Sequence, residues 1–436
     1  MVNHISKITF KSIMFWFRNL FQPHKKNLQN LSALVIFNFL AAALFFITQI
    51  KIANVIGSAQ FGLLAYCIAV GMYAEVIIGY GTYRTLVREL IHYPDRQAVL
   101  VMSSLIMRCL LLVVVVTVLL LLNIIFQTNS IRWVLICVVL AYALKALNLQ
   151  PLYDVWNQMV RHSIYYMTQK ALYFLLIWII VFFATDCLNL NIVVTILLIT
   201  EGVYLFLQQR WAIQKIDFRE TKAYYLAVTI KEMLKKDSWI ALTAVFTLSF
   251  GTLNQIILKH YAGLVELGIY AAPWQIVLGA ILLVSQVSRI GNPGIARITR
   301  PEINGTQRKK FLIKYSCIMA ASASTVFVPA ILFPDLIITT IFSHEYASAS
   351  SILRVHGIYI MVFSLGLVAS QYVVSVYMER FYFISVIIGG LLSIILCYVL
   401  IPLYGGFGAA ISLLLSHGFT MGLYWIAMIK HVKNVD

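Results

Sequence analysis

The sequence predicts an all-α polytopic membrane protein with about 12 transmembrane helices in two parallel-repeat six-helix lobes. Of its 436 residues, 61% are hydrophobic and only 11% are charged, whereas soluble domains carry about a quarter of charged residues. Apolar runs of about 20 residues, the length of a helix that crosses a ~30 Å hydrocarbon core, recur along the chain. Runs such as 113–122 lack the alternation of barrel strands. These observations also exclude a nucleic-acid-binding class.

The first 30 residues predict a cytoplasmic interfacial segment. Apolar side chains recur there at helical spacing, opposite Lys7, Lys11 and Arg18, as in helices that lie on an anionic membrane surface. The alternative is a simple topology anchor without lipid preference. The apolar stretch is short and no small-residue cleavage site follows it, which argues against a signal peptide.

Twelve apolar runs then follow, separated by short polar connections. The first six predict an N-lobe over 31–215, and the last six predict a C-lobe over 216–436. The predicted spans are 31–55, 60–83, 98–125, 132–151, 166–184, 191–210, 238–258, 267–288, 311–333, 351–377, 382–401 and 406–429.

Charge is distributed unequally between the two sides of these spans. Most of the 33 lysines and arginines fall on the side of the termini, which we call the basic side, and the other we call the far side. Because basic residues stay in the cytoplasm, both termini are predicted to be cytoplasmic. Far-side connections are short, and no nucleotide, hydrolase or metalloprotease motif is found in the basic-side connections. We therefore expect no enzyme activity, and the six dispersed cysteines suggest no metal site.

An internal repeat is visible at an offset of 206 residues. The segment 57–65 aligns with 263–271, and both lie at the turn between the first two helices of a lobe. An offset of six helices keeps the orientation, so the lobes are parallel repeats that can rock about their interface.

Polar residues within the spans are candidates for a substrate path. Asn38 and Gln49 share a face of the first helix, Asn254 lies in a polar stripe on the seventh, and Gln275 lies on the eighth. These faces predict a hydrated cavity between the lobes. The alternative is interhelical hydrogen bonding, at about 0.6 kcal/mol a contact.

Charges inside the membrane are more informative, because each costs about 2.5 to 3.5 kcal/mol at a helix centre. Glu75 and Glu201 lie near mid-span and are candidates for a proton or sodium relay. The alternative for each is a structural pair with an arginine or lysine. For Lys145 we expect the side chain to extend to the cytoplasmic headgroups.

Several motifs carry a family resemblance. The stretch 56–64, followed by Gly79-Tyr80-Gly81 and Arg88-Glu89-Leu90, resembles the pattern "LGPxxFGLL…DFG…REI" of Wzx-type polysaccharide (O-antigen) flippases. These flippases belong to the multidrug/oligosaccharidyl-lipid/polysaccharide (MOP) exporter superfamily. Further matches are 267–272, similar to "VGIYSAA", 342–354, similar to "FGxEYxxAxxVLR", and 405–410 before the last helix.

The resemblance implies movement of undecaprenyl-diphosphate-linked repeat units across the bacterial inner membrane, with ion-gradient coupling and no cofactor. It also implies a cationic cavity, the lipid-linked oligosaccharide and membrane lipids as partners, and a polysaccharide polymerase and chain-length regulator as further partners. Two positions depart from the family pattern: Gly79 replaces its acidic residue, and Asn254-Gln255 replace an aspartate. Ion-coupling roles therefore do not carry over to these positions.

Basic residues at the helix ends predict the route of the diphosphate. Arg84, Arg88 and Arg289 stand at the cytoplasmic mouths of helices 2 and 8, and Lys51 and Lys259 at the far ends of helices 1 and 7. The alternative is that these residues only set the orientation of the helices in the membrane. Three other functions stay open: a drug antiporter of the same superfamily, which would favour acidic cavity residues, a membrane polysaccharide polymerase and an assembly scaffold.

Overall fold

The computed structural model describes residues 25–126, 129–216, 223–300 and 303–435. Within these ranges the chain forms α-helices and short 3-10 turns without a strand, as the sequence predicts. Nine of the described helices are long and apolar enough to cross a membrane. The predicted interfacial helix falls on residues 1–30, of which 1–24 lie outside the described residues.

Thirteen α-helices make up this part of the chain. They are α1 Lys25–Gly79, α2 Thr82–His92, α3 Gln97–Phe126, α4 Asn129–Ala146, α5 Gln150–Val155, α6 Met159–Phe183, α7 Leu190–Ile213, α8 Ala223–Leu248, α9 Thr252–Ile298, α10 Gly305–Leu332, α11 Pro334–Ile341, α12 Ala349–Ser375 and α13 Glu379–Val435.

Three of these helices are long because each runs from one predicted span into the next through a glycine. The junctions are Gly57 in α1, Gly263 in α9 and Gly405 in α13, each with a positive φ that only glycine adopts without strain. Counting each half separately, and joining the end of α8 to the first turns of α9, gives the twelve predicted spans. The all-helical fold class is therefore confirmed.

The seventh span is broken, although the sequence predicts a continuous helix over 238–258. The helix α8 ends at Leu248 and α9 begins at Thr252. The carbonyl of Ser249 instead accepts a hydrogen bond of 2.9 Å from the Ser393 hydroxyl of α13. Glycine at 251 weakens the helix further, since it costs about 1 kcal/mol in a helix interior. A tertiary contact and a poor helix former thus interrupt the span.

The two lobes meet through a reciprocal glycine contact. Gly57 and Gly263 adopt nearly the same backbone conformation, φ 78° and ψ 170° against φ 83° and ψ −175°. A Cβ placed on Gly62 would lie 1.9 Å from the carbonyl oxygen of Leu264, and one on Gly268 would lie 1.9 Å from that of Ser58. The 206-residue offset exchanges these two contacts, so α1 and α9 cross at a pseudo-twofold axis. The lobe boundary at 215/216 itself stays a prediction.

The far side of the interface is sealed by hydrogen bonds between the lobes. The Asn54 side chain donates to the Ile341 carbonyl at 2.9 Å and accepts from the Ser343 amide at 2.9 Å. The Glu345 carboxylate accepts from the Ser58 amide at 3.0 Å, which satisfies a free donor at the start of a helical segment. We call these contacts the far-side clasp.

On the basic side the lobes touch between α2 and α8. The Thr85 hydroxyl donates to the Asp237 carboxylate at 2.9 Å, and the Lys236 ammonium lies 3.5 Å from Glu89. A cavity remains between these basic-side contacts and the far-side clasp.

Candidate functional site

A cavity of about 530 Å³ lies within the N-lobe, bounded by α1 and by α4 to α7 and reached by Arg289 from α9. Several lining residues lie at the basic-side ends of their helices, including Lys145 of α4, Asp154 of α5 and His162 of α6. The cavity therefore opens toward the basic side, whereas the far-side clasp closes the opposite side. We call it the N-lobe cavity.

Glu75 and Lys145 form an ion pair in the wall of this cavity. Their charged atoms are 2.9 Å apart, and both side chains are partly exposed to the cavity. The Lys145 ammonium also lies 5.1 Å from the centre of the Tyr142 ring, a cation–π distance. The prediction that Lys145 extends to the headgroups is wrong, because Glu75 offers a nearer partner at the same depth.

Glu201 and Lys170 form a second, more deeply buried pair. Their charged atoms are 3.5 Å apart, and the side chains are only 7% and 9% exposed. Gln169 donates a further hydrogen bond to Glu201 at 3.0 Å, and the Lys170 ammonium lies 4.6 Å from the Phe45 ring centre. Both glutamates thus have the structural lysine partner that was the alternative to a relay. The relay itself stays a prediction.

The mouth of the cavity carries a third set of polar groups. The Tyr83 hydroxyl donates to the Asp154 carboxylate, and the Arg289 guanidinium is close enough to interact with the same carboxylate. His162 and Tyr204 share a hydrogen bond of 2.8 Å. Asp154 and His162 are not among the residues predicted from the sequence. The signal that could have found them is a titratable residue between the predicted spans four and five.

Arg108 is buried next to this cavity and closes the end of α4. Its guanidinium donates to the Ser104 hydroxyl and to the carbonyls of Ala146 and Asn148, at 3.3 and 2.8 Å. Carbonyls at a helix end have no partner within the helix, so Arg108 satisfies them. It also lines a smaller cavity of about 250 Å³ that shares Glu75 with the N-lobe cavity. Its role is to hold the segment that carries Lys145.

Four of the predicted site residues come together in the structure. Asn38, Glu75, Glu201 and Arg289 all line the N-lobe cavity. The cavity is thus placed inside one lobe, with Arg289 of α9 from the other lobe at its edge, rather than between the polar faces of helices 1, 7 and 8.

The other predicted residues lie elsewhere. Lys51 and Lys259 are near the sealed far side, and the Lys259 ammonium lies 4.9 Å from the Tyr66 ring centre. Gln49 is buried beside Tyr173, and Gln275 is half-buried outside the lining of the N-lobe cavity.

Of the three arginines predicted at the cytoplasmic mouths, Arg289 alone is among the described residues that line the N-lobe cavity. Arg88 is exposed outside the cavity lining, 3.7 Å from Glu89. The side chain of Arg84 lies outside the described residues.

Asn254 does not face a path in this arrangement. It is fully buried in the C-lobe, donates to the Ala409 carbonyl at 3.0 Å and accepts from the Cys397 thiol at 2.8 Å. These bonds use its amide to join α9 to α13, so the expectation that it lines the substrate path is not supported. In the described ranges, no three His, Cys, Asp or Glu side chains are grouped so that they could hold a metal ion.

Comparison with known proteins identifies the family. Residues 27–293, which include every residue named above for the N-lobe cavity, match the family described as polysaccharide biosynthesis protein. The chain belongs to this family. This family match agrees with the resemblance to Wzx-type flippases. No curated protein matches the chain.

Solved structures show the fold. The lipid II flippase MurJ in an inward closed conformation has a TM-score of 0.74 at 13% identity, over 92% of this chain and 89% of that one. An inward-facing multidrug resistance MATE family transporter of the MOP superfamily has a TM-score of 0.70 at 13% identity, over 91% and 95%. A MOP superfamily transporter from Pyrococcus furiosus has a TM-score of 0.62 at 12% identity, over 93% and 96%. The chain therefore has the MOP transporter fold.

Proposed function

We propose that this family member is a flippase for lipid-linked oligosaccharides. It would move undecaprenyl-diphosphate-linked O-antigen, or a similar surface polysaccharide repeat unit, from the cytoplasmic to the periplasmic leaflet of the bacterial inner membrane. The observation that carries this proposal is the N-lobe cavity, which brings Lys145 and Arg289 together under a sealed far side. The family description and the fold shared with a lipid II flippase support it.

The charges of the cavity suit a diphosphate headgroup. Arginine and lysine form their strongest hydrogen bonds with phosphate where water is excluded. Arg289 is exposed at the mouth and would meet the headgroup first, and Lys145 lies deeper, 2.9 Å from Glu75. The polyprenyl chain would stay in the membrane, because burying it in a polar cavity gains no hydrophobic free energy.

Ion coupling would act through the two glutamate–lysine pairs. A diphosphate and Glu75 would compete for the same ammonium of Lys145, so the binding of a proton or sodium ion to Glu75 would change the affinity of Lys145 for the cargo. Glu201 and Lys170 form the same kind of pair deeper in the cavity. Rocking of the lobes would then open the far-side clasp and expose the cavity to the periplasm. A polymerase and a chain-length regulator would receive the delivered unit.

The test is the leaflet distribution of the lipid-linked repeat unit in cells with and without the gene, read by a periplasmic glycan-modifying enzyme. We expect single units to accumulate in the inaccessible leaflet without the protein. Arg289→Gln should lower translocation about tenfold or more, the loss of one charge-assisted hydrogen bond. The matched control is Arg297→Gln, an exposed arginine two turns further along α9. Units that become accessible without the protein but stay unpolymerised would instead indicate a polymerase.

A second candidate is a small-molecule antiporter. The carboxylates of Glu75, Asp154 and Glu201 in the cavity, and the fold shared with MATE transporters, favour it. A cationic drug should then accumulate less in cells that carry the protein, and Glu75→Gln should abolish the difference. Unchanged drug accumulation together with lost glycan translocation decides for the flippase.

A further inference from the structure

A third cavity, of about 230 Å³, lies inside the C-lobe between α8, α9, α12 and α13. We call it the C-lobe cavity. Its wall is largely aromatic, and Thr247 at its edge is exposed. The rings that line it are those of Phe250, Trp274, Tyr359, Phe363, Tyr382 and Tyr424.

The linings of the two cavities share one position of the internal repeat. The 206-residue offset that relates Gly57 to Gly263 also relates Glu75 to Ile281. Glu75 lines the N-lobe cavity and Ile281 lines the C-lobe cavity. One repeat therefore surrounds its cavity with charged pairs, while the lining of the other contains no Asp, Glu, Lys or Arg among the described residues.

The C-lobe cavity nevertheless has uncharged hydrogen-bonding groups. The His417 ring stacks on Phe250, with centroids 4.9 Å apart and planes 22° apart, and its Nδ1 shares a hydrogen bond of 3.1 Å with the Tyr359 hydroxyl. The other ring nitrogen, Nε2, has no hydrogen-bond partner among the described residues. The Thr247 hydroxyl donates to the Thr243 carbonyl at 2.8 Å, which leaves its lone pairs free to accept.

The break between α8 and α9 places this cavity next to the lobe interface. Gly251 lies in the break, and a Cβ there would be 3.4 Å from the Trp274 ring. The next residue, Thr252, also lines the cavity and reaches the Met72 sulfur of the N-lobe at 3.9 Å. The C-lobe cavity therefore borders the N-lobe at this contact.

We propose that the C-lobe cavity binds one pyranose ring of the transported glycan, an inference that rests on the proposed flippase function. The apolar face of a sugar ring packs on aromatic rings, and its hydroxyls need uncharged donors and acceptors such as His417 Nε2 and Thr247. An acyl chain would leave these polar groups unsatisfied. An ammonium ion would find ring faces but no carboxylate. The volume is below the roughly 300–1,000 Å³ of sites for drug-sized ligands, which suits a single ring.

The experiment uses the full chain in nanodiscs and saturation-transfer NMR, which observes the ligand directly. The probes are the methyl glycosides of glucose, galactose, N-acetylglucosamine and rhamnose, with tetramethylammonium as the cationic probe. We expect saturable transfer to at least one glycoside, and roughly tenfold weaker binding in Trp274→Leu, the loss of one aromatic partner. The matched control is Trp239→Leu in α8, at a side chain 66% exposed outside the cavity. Thermal unfolding checks that both variants fold.

The outcomes separate this inference from the proposed function. No transfer to any glycoside, transfer that Trp274→Leu leaves unchanged, or binding of tetramethylammonium alone would each overturn the sugar site. If Trp274→Leu unfolds, Phe363→Leu takes its place with the same expectation. The leaflet assay is independent of this result: translocation without glycoside binding leaves the flippase standing, and glycoside binding without translocation refutes the flippase and not the site.

Discussion

The glycine crossing between the lobes permits a sharp test of how the far side is sealed. In the wild-type protein, α1 and α9 approach so closely that a methyl group on Gly62 or Gly268 would lie 1.9 Å from a backbone carbonyl oxygen of the other helix. Real Cβ atoms do not approach closer than 3.0 Å, so Gly62→Ala requires the helices to separate by at least 1.1 Å. A backbone atom cannot rotate away as a side chain can.

The cost of this separation falls on the state in which the far side is closed. Overpacking a tight contact costs about 1–3 kcal/mol. The open state is not destabilised, because the two helices are apart in that state. The ratio of open to closed molecules should therefore rise roughly 5- to 150-fold. Gly268→Ala should have the same effect, since it is the symmetry-related contact. The effect of the double variant on the free energy between the open and closed states should be smaller than the sum of the two single effects, because the first methyl already separates the helices.

The assay measures access to the N-lobe cavity from outside the cell. Ser163 lines the cavity and is 2% exposed, so Ser163→Cys serves as the reporter. A membrane-impermeant maleimide is added to intact cells, and labelling of the peptide that contains residue 163 is measured by mass spectrometry. We expect faster labelling with either alanine than with glycine.

Gly202→Ala and Gly279→Ala are the matched controls, because a Cβ at either position would have no atom within 4 Å. Equal labelling rates for Gly62→Ala and Gly202→Ala, at similar amounts of protein, would refute the reasoning that this crossing seals the far side.

Three further predictions concern single contacts. Arg108→Met should lower the free energy of unfolding by about 2–4 kcal/mol, because the carbonyls of Ala146 and Asn148 lose their donor, and denaturation in detergent measures this loss. Glu345→Ala should raise outside labelling of Ser163→Cys, because the Ser58 amide loses its acceptor, whereas Glu345→Gln should keep most of the seal. Burial raises the pKa of Asp237 to about 6, against a hydrogen bond from Thr85 that lowers it. Because this folded pKa lies above the unfolded value of about 3.9, the contribution of Asp237 to stability is fully present below about pH 3.9. It is lost as the pH rises through about 6. Asp237→Asn should therefore stabilise the protein more at pH 7.5 than at pH 4, as thermal unfolding at the two values would show.

Local sequence features predicted the parts of the fold that depend on local physics. Apolar run length predicted the spans. The alignment of 57–65 with 263–271 predicted the repeat, because the positive φ at Gly57 and Gly263 and the close crossing at Gly62 and Gly268 both demand glycine. Glu75 and Glu201 stood out because an intramembrane charge needs a partner.

The features that were missed depend on how the helices are rotated, which packing sets and hydropathy does not report. Asn254 was placed on a polar stripe, yet its partners Cys397 and Ala409 are more than 140 residues away in the sequence. Asp154 was missed because its contact with Tyr83 joins two segments that the sequence alone does not bring together. The break at Ser249 likewise follows from a hydroxyl of α13.

The pairing of charges in the N-lobe cavity has an electrical consequence. The carboxylates of Glu75, Asp154 and Glu201 are matched by the cations of Lys145, Lys170 and Arg289, so the empty cavity is close to neutral. A diphosphate cargo would give the loaded lobe a net negative charge, and its outward transfer would be favoured by the membrane potential, negative inside, at about 2.3 kcal/mol per charge and 100 mV. A proton or sodium ion that moved inward in exchange for the cargo would add one unit to that dependence.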